Sequence, residues 1–365
     1  MPFQIGALID GAHHSASEAG LFGFFEVGAL AFGMILICAW VDRVSLAAIS
    51  LGGCLLAAVA NVGLYAGNAA NLGVVMLFAV LAGLGYGAVF SATVAAAAAT
   101  REPDRLYALG NGGALLLIVG IMSVFPAAAA HLGALGVFAA LAGLAIVSAP
   151  FFLALQTGTV AEETRLSAWR TPGAPALLCA WSTFSMGTGA LYAFSERIGK
   201  SIHLEPSQIA TALSMGVFVG LIGTGAAAFL GRRVNRAVAL MVGMSGSGLS
   251  CLLLGFATNE VLFTAGVFLY WIFYMFLYSY LLGTAAILDP SGRVGTLGGG
   301  LERLGYGLGA GLGGIFSEHL AYSSTGVLGF VGCVAGLLGL PSLLKSVRSR
   351  ASSRAGGPTA LPANL

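Results

Sequence analysis

Long apolar runs separated by short polar stretches set the pattern of this chain. A helix rising 1.5 Å per residue needs about 20 mostly apolar residues to cross a bilayer core. Such runs fall near 19–40, 46–66, 72–98, 106–128, 134–155, 173–195, 208–230, 237–257, 260–287, 294–316 and 325–344, which predicts eleven spanning helices. Strands fit poorly, because period-two alternation is missing and barrel segments would be only about ten residues long.

Composition narrows the class. Of 365 residues, 58% are hydrophobic and 8% charged, whereas soluble domains carry about 25% charged residues. Too little polar surface remains to cover a soluble fold of this size, so lipid must solvate much of it. The fold class is an all-α polytopic membrane protein. The formal net charge of +2 marks no nucleic-acid partner, since the cations lie in short hinges and a tail rather than one patch. The N-terminus shows no signal-peptide pattern, so insertion relies on the apolar spans. Arginine outnumbers lysine fourteen to two and Ala and Gly abound, which points to a GC-rich bacterial genome and hence a bacterial cytoplasmic membrane.

Basic residues orient the spans. With the segment before residue 19 outside, the inside loops hold thirteen cations: Arg43, Arg101, Arg105, Arg165, Arg170, Arg232, Arg233, Arg236, Arg293, Lys345, Arg348, Arg350 and Arg354. The outside loops hold only Arg197 and Lys200. The C-terminus is therefore expected in the cytoplasm. The polar stretch 156–172, with Glu162, Glu163, Arg165, Arg170 and Pro172, reads as a cytoplasmic linker between residues 1–155 and 173–345. Residues 346–365, rich in Ser, Arg, Gly and Pro, read as a disordered tail.

A weak internal repeat supports two halves. A shift of 190 positions lays Ser17-Glu18 on Ser207-Gln208, Gly33 on Gly223 and Asp42-Arg43 on Arg232-Arg233. The span 173–195 precedes the second copy, so its partner in the first half is expected to be largely missing, apart from an outer end around Phe3–Ala12.

Some of these stretches carry a family resemblance. Leu8-Ile9-Asp10 through Ser17-Glu18-Ala19-Gly20, an apolar helix, then Trp40-Val41-Asp42-Arg43 resembles the second helix and following hinge of major facilitator superfamily transporters. That hinge usually reads G-x-L-A-D-R-x-G-R-R. Asp42 and Arg43 match, while Cys38 replaces the first glycine and Ser45, Leu46 and Ala47 replace the G-R-R tail. Leu230-Gly231-Arg232-Arg233-Val234-Asn235-Arg236 is a second partial copy. Leu81–Ser91, with Gly83, Gly85 and Gly87, resembles the glycine-rich fourth helix, and Ser195-Glu196-Arg197-Ile198-Gly199 the outer end of the seventh. The resemblance implies two pseudo-repeated six-helix halves around a central cavity that opens alternately to each side. Asp42, Arg43, Arg232 and Arg233 would form the gating hinges. The chain departs from that pattern in lacking most of the first helix.

Ionisable groups inside a bilayer cost about 2.5–3.5 kcal/mol each, so their retention asks for a reason. Three fall well inside the predicted spans. Glu26 is the proton-coupling candidate; the plainer reading is an interhelical hydrogen bond or a snorkelling carboxylate. Glu302 and Arg303 are substrate-contact candidates. As neighbours they diverge by about 100° around a helix, so they are not expected to pair face to face, and a structural polar network is the alternative. Tyr270, Tyr274 and Tyr278 share one helix face at four-residue spacing. Tyr274 and Tyr278 are substrate candidates against a plain packing role, with Tyr86, Asn111, Tyr192 and Tyr306 of the same kind.

Small-xxx-small pairs, Gly83/Gly87, Gly295/Gly299, Gly305/Gly309 and Gly332/Gly336, predict close helix approach. Gly309-x-Gly311-x-x-Gly314 matches a dinucleotide fingerprint only formally, for no strand precedes it. Cys38, Cys54, Cys179, Cys251 and Cys333 read as small buried thiols. His13, His14, His131, His203 and His319 fall in outside loops, without metal-ligand spacing. Neither cofactor nor metal is expected. Ser317-Glu318-His319 is no triad, and no histidine, acidic pair or nucleophile cluster in the spans supports an enzyme.

The expected function is a monomeric, proton-coupled carrier of a small organic solute. Alternatives are a multidrug-type efflux carrier or, from another class, a non-transporting sensor or decayed transporter copy. Its partners would be the solute, protons and the bilayer.

Overall fold

The computed structural model describes residues 1–38, 44–67, 69–98, 103–155, 170–231, 233–289 and 293–355. All regular elements among them are helical. They are α1 (Pro2–Ala12), α2 (Ala16–Cys38), α3 (Leu46–Ala66), α4 (Leu72–Ala98), α5 (Pro103–Leu132) and α6 (Gly136–Ser148), which a 3₁₀ turn (Ala149–Ala154) extends. Then come α7 (Ala174–Ala193), α8 (Ser195–Ser201), α9 (Pro206–Leu230), α10 (Arg236–Gly255), α11 (Glu260–Leu288), α12 (Arg293–His319) and α13 (Ser324–Ala355).

Local chemistry sets the helix ends. Ser45, Asn235 and Asn259 cap α3, α10 and α11 by accepting from backbone N–H groups, which satisfies donors the first turn leaves free. Glu205 and Gln208 form a capping box at α9. Gly231, at φ +36°, ends that helix, a conformation that side chains with a Cβ rarely adopt.

Each of the eleven expected spans finds a helix. Among the described residues, eight helices are long and apolar enough to cross a membrane: α2, α3, α4, α6 with its 3₁₀ extension, α9, α10, α11 and α13. α5, α7 and α12 occupy the other three expected spans. Glycines, Glu302 and Arg303 make α12 less apolar than α5 and α7. Large apolar side chains such as Leu55, Phe151, Phe229, Val261 and Leu338 are exposed, as a lipid-facing surface requires. The chain is an integral membrane protein.

α2 packs between α4 and α12, α7 between α12 and α13, and α11 between α9 and α10, while α5 leans on α6 and α9. Glycines permit the tightest crossings. A Cβ at Gly309 would sit 2.0 Å from the Met186 carbonyl oxygen, and one at Gly83 2.1 Å from that of Glu26. Gly305/Gly309 and Gly332/Gly336 press on α7, and Gly83/Gly87 on α2. Gly295/Gly299 does not follow: a Cβ at Gly299 meets nothing within 4 Å, and one at Gly295 only the Ala285 Cβ at 3.9 Å.

Three further expectations need correction or placement. α13 continues to Ala355, so the stretch from Ser346 begins helical where a disordered tail is expected; a packed span propagates helix cheaply into the residues behind it. Cys179 is exposed, while Cys54, Cys251 and Cys333 are buried. Most of the expected linker, 156–169, lies outside the described residues.

Candidate functional site

The tyrosine stripe of α11 is real and is turned onto α7. Tyr192 of α7 stacks on Tyr270 (centroids 5.4 Å, 9°), Tyr270 on Tyr274 (5.8 Å, 20°) and Tyr274 on Tyr278 (6.1 Å, 12°). Trp181 meets Tyr278 edge-on, and Phe184 packs on Tyr274. Tyr270 is 2% and Tyr274 9% exposed, so those two rings are spent on packing. Tyr278, Trp271 and Tyr306 are half-buried and keep part of their surface available.

Behind this ladder, the Tyr274 hydroxyl donates to Glu302 Oε1 at 2.9 Å. Arg303 Nε lies 3.4 Å from Glu302 Oε2. The neighbours do pair, against expectation, because the long arginine stem folds back across the angle between adjacent positions. The partners differ in access. Glu302 is 2% exposed, whereas the Arg303 side chain is 44% exposed.

The face of α12 that carries Arg303 decides what that exposure means. Gly299, Gly300, Gly307, Ala310 and Gly314 lie on or next to that face at helical spacing. Toward His319 this face is pressed against α2: a Cβ at Gly314 would meet the Ala16 carbonyl oxygen at 2.4 Å, and one at Gly20 that of Ala310 at 2.6 Å. Contact loosens at Gly307, 3.3 Å from the Phe24 oxygen, and a Cβ at Gly28 or Gly300 meets nothing within 4 Å. The α2–α12 seam is closed at the His319 end and gapes toward the Arg293 end. Arg303 lies where it opens.

Glu26 looks the other way. It is 4% exposed and accepts from Gln4 Nε2 at 2.7 Å, on the side of α2 that meets α1 and α4. Tyr86, on α4, is within electrostatic reach of it, and its hydroxyl accepts from Asn61 Nδ2 at 2.8 Å. Tyr306 is within reach of Glu26, Glu302, Arg303 and Tyr192 alike. Glu302, Arg303, Tyr274 and Tyr278 thus form one polar and aromatic zone, while Glu26 with Gln4 and Tyr86 with Asn61 lie apart from these contacts. Asn111 is on α5 with its side chain outside the described residues, as are Asp42, Arg43 and Arg232 entirely. Arg233 is exposed in the turn after α9, its guanidinium 4.7 Å from the Phe229 ring centre.

Several functional-looking groups escaped the sequence reading. At the closed end, Asp10 of α1 accepts from Arg197 Nη1 at 2.7 Å and Lys200 Nζ at 2.5 Å, both on α8. Arg197 Nη2 also reaches the Gly6 carbonyl oxygen at 2.5 Å, and Lys200 reaches Glu196 Oε1 at 2.7 Å. Burial pushes the Asp10 carboxyl up, but hydrogen bonds and charge from Arg197 and Lys200 outweigh it and hold it below the usual range. The Ser17 N–H donates to Glu318 at 2.9 Å at the same end. His14 is buried between Glu18 Oε2 (2.9 Å) and the Ala69 carbonyl oxygen (2.7 Å). At the opposite end Arg236 donates to Thr284 Oγ1 at 3.1 Å. Asp10, Glu196 and Arg197 already stood in the resembling motifs, but no local signal announced that distant segments would pair.

Two surface grooves, one beside Leu116, Gly120 and Leu144 and one beside Gly33, Gly52 and Leu84, are lined by apolar or small side chains away from this zone. Acyl chains suit them better than a polar solute.

Comparison with known proteins agrees with this architecture. The family model described as Major Facilitator Superfamily matches residues 3–301. A crystal structure of a point mutant of the nucleoside transporter NupG superposes with a TM-score of 0.71 at 13% identity, covering 94% of each chain. A search of curated proteins finds no match.

Proposed function

This chain belongs to the major facilitator superfamily, and from that premise we propose that it carries a small organic solute across the membrane by alternating access. The observation that carries the reading is the α2–α12 seam, tight from Gly314 to Gly20 and open from Gly28 to Gly300. One end sealed and the other parted is the geometry of a carrier caught facing one side.

In this reading all eleven long helices span, the closed end faces outside, and the C-terminus lies in the cytoplasm of a bacterial inner membrane. The chain works as a monomer of two halves. Helix starts favour the halves: α2, α3 and α5 begin at 16, 46 and 103, and α9, α10 and α12 at 206, 236 and 293, each 190 positions later. The same shift carries Asp10 to Lys200, and those two pair directly, as equivalent positions beside a two-fold axis do. Glu26 is the proton carrier, with Arg303 and Tyr278 facing the solute, Glu302 and Tyr274 holding them from behind, and Tyr86 and Asn111 as further contacts. Asp42, Arg43, Arg232 and Arg233 serve the hinges.

Purified protein in liposomes, given an acid exterior and a panel of labelled solutes, tests this. Nucleosides enter only as panel members, since 13% identity to a nucleoside transporter speaks for the fold alone. Accumulation that collapses with the proton gradient is expected for at least one solute class. Equal counts with and without protein across the panel would refute the carrier.

A further inference from the structure

Among the described residues well inside the spans, Glu26 and Glu302 are buried carboxylates, whereas the cation Arg303 keeps an exposed side chain. Glu26 is 4% and Glu302 2% exposed, each held by a neighbouring donor. The Arg303 side chain is 44% exposed. A solute entering the seam therefore meets an arginine and, among the described residues of α2 and α12 there, no accessible carboxylate. Charge sign selects the class before shape does.

Guanidinium geometry adds detail. Glu302 approaches Nε at a loose 3.4 Å, which leaves the terminal edge with both Nη atoms. No partner for that edge is found among the described residues. Two parallel N–H donors on one edge match a planar carboxylate. Glu302 also compensates the cation while the site is empty, which lets an arginine persist among apolar helices.

The rings supply the second criterion. Tyr274, Tyr278 and Tyr306 lie within electrostatic reach of Arg303, and Tyr278 and Tyr306 are half-buried. The ladder Tyr192–Tyr270–Tyr274–Tyr278 ends on Tyr278, which Trp181 meets edge-on and which keeps part of its ring surface accessible to another flat ring. Resting on the carrier reading, we infer that the solute is an aromatic carboxylate, its oxygens on the Nη edge of Arg303 and its ring against Tyr278 and Tyr306.

Three probes isolate charge at constant ring and chain: 3-phenylpropionate, 3-phenylpropan-1-ol and 3-phenylpropylamine. Binding is read as a thermal shift of the full purified chain at up to 10 mM of each (on the order of the weakest useful affinity). The carboxylate is expected to stabilise the protein, the alcohol weakly, the amine not at all. Arg303→Gln should weaken carboxylate binding about tenfold or more, since one charged hydrogen bond is worth that much. Arg303→Lys should retain part of it. If the single variant misfolds by stranding Glu302, the double variant Glu302→Gln/Arg303→Gln removes both charges and should show the same loss. Amine binding as tight as the carboxylate, carboxylate binding unchanged in the double variant, or no binding of any probe each overturns the inference. Because binding rather than flux is read, a carrier active on other solutes sinks only the aromatic carboxylate. A chain that binds it and moves nothing sinks only the carrier.

Discussion

Tyr274 donates its hydroxyl proton to Glu302 across 2.9 Å and thereby joins α11 to α12 directly behind Arg303. The bond fixes which carboxylate oxygen is free to face the arginine. It makes the aromatic ladder part of the site's scaffold even where its rings touch no solute.

Removing that hydroxyl should be felt. Tyr274→Phe leaves a buried carboxylate oxygen without its donor, a loss of about 1–3 kcal/mol, read as a lowered melting temperature in detergent. In a double-mutant cycle with Glu302→Gln the two losses should be far from additive. Additive losses would mean that the pair does not interact.

The seam makes opposite forecasts for two glycines of one helix. Gly314→Ala puts a Cβ 2.4 Å from the Ala16 carbonyl oxygen. It should cost about 1–3 kcal/mol, as overpacking does. Gly300→Ala enters open space and should stay within about 0.5 kcal/mol. Thermal unfolding of both variants checks the contrast, and equal effects would deny that the seam parts.

The ion cluster at the closed end predicts a pH signature. Asp10 is held below its ordinary value in the folded protein, so its contribution is present above the unfolded value, about 3.9. It fades as pH falls through the lower folded value. Asp10→Asn should therefore melt below the parent at neutral pH, with the gap closing below about pH 4. A gap constant down to pH 3 would assign the effect to packing alone.

For coupling, Glu26→Gln keeps the hydrogen-bonded side chain beside Gln4 but removes the titratable proton. Accumulation driven by a pH gradient should vanish, while solute exchange at equal pH continues. Uphill transport at the parent rate would move the proton to another group.

Much of this was legible in the sequence, and the limits have physical causes. Apolar run length located the eleven long helices among the described residues, because a continuous apolar run is a local property of the sequence. Four-residue spacing placed Tyr270, Tyr274 and Tyr278 on one face for the same reason. The partner of that face was not legible, since it is set by α7, far along the chain. Asp10 with Arg197 and Lys200 depends on segments about 190 positions apart, which no local pattern reports. The Glu302–Arg303 pair was misjudged because backbone angles limit where a side chain starts, not where a long flexible one ends. Gly295/Gly299 carries a packing motif without close packing, since only Gly295 meets a neighbour, the Ala285 Cβ at 3.9 Å; the same small residues also suit an open seam.

The most direct test of alternating access reads both ends of the α2–α12 seam at once. Spin labels go on Ser17→Cys with Glu318→Cys in one cysteine-free variant, and on Gly28→Cys with Gly300→Cys in another. Pulsed electron resonance then gives the distance distribution of each pair in lipid. The account predicts two populations per pair with opposite sense: a short Ser17–Glu318 distance accompanies a long Gly28–Gly300 distance, and solute or pH shifts both together. A single distance at each end, unmoved by either, would contradict it.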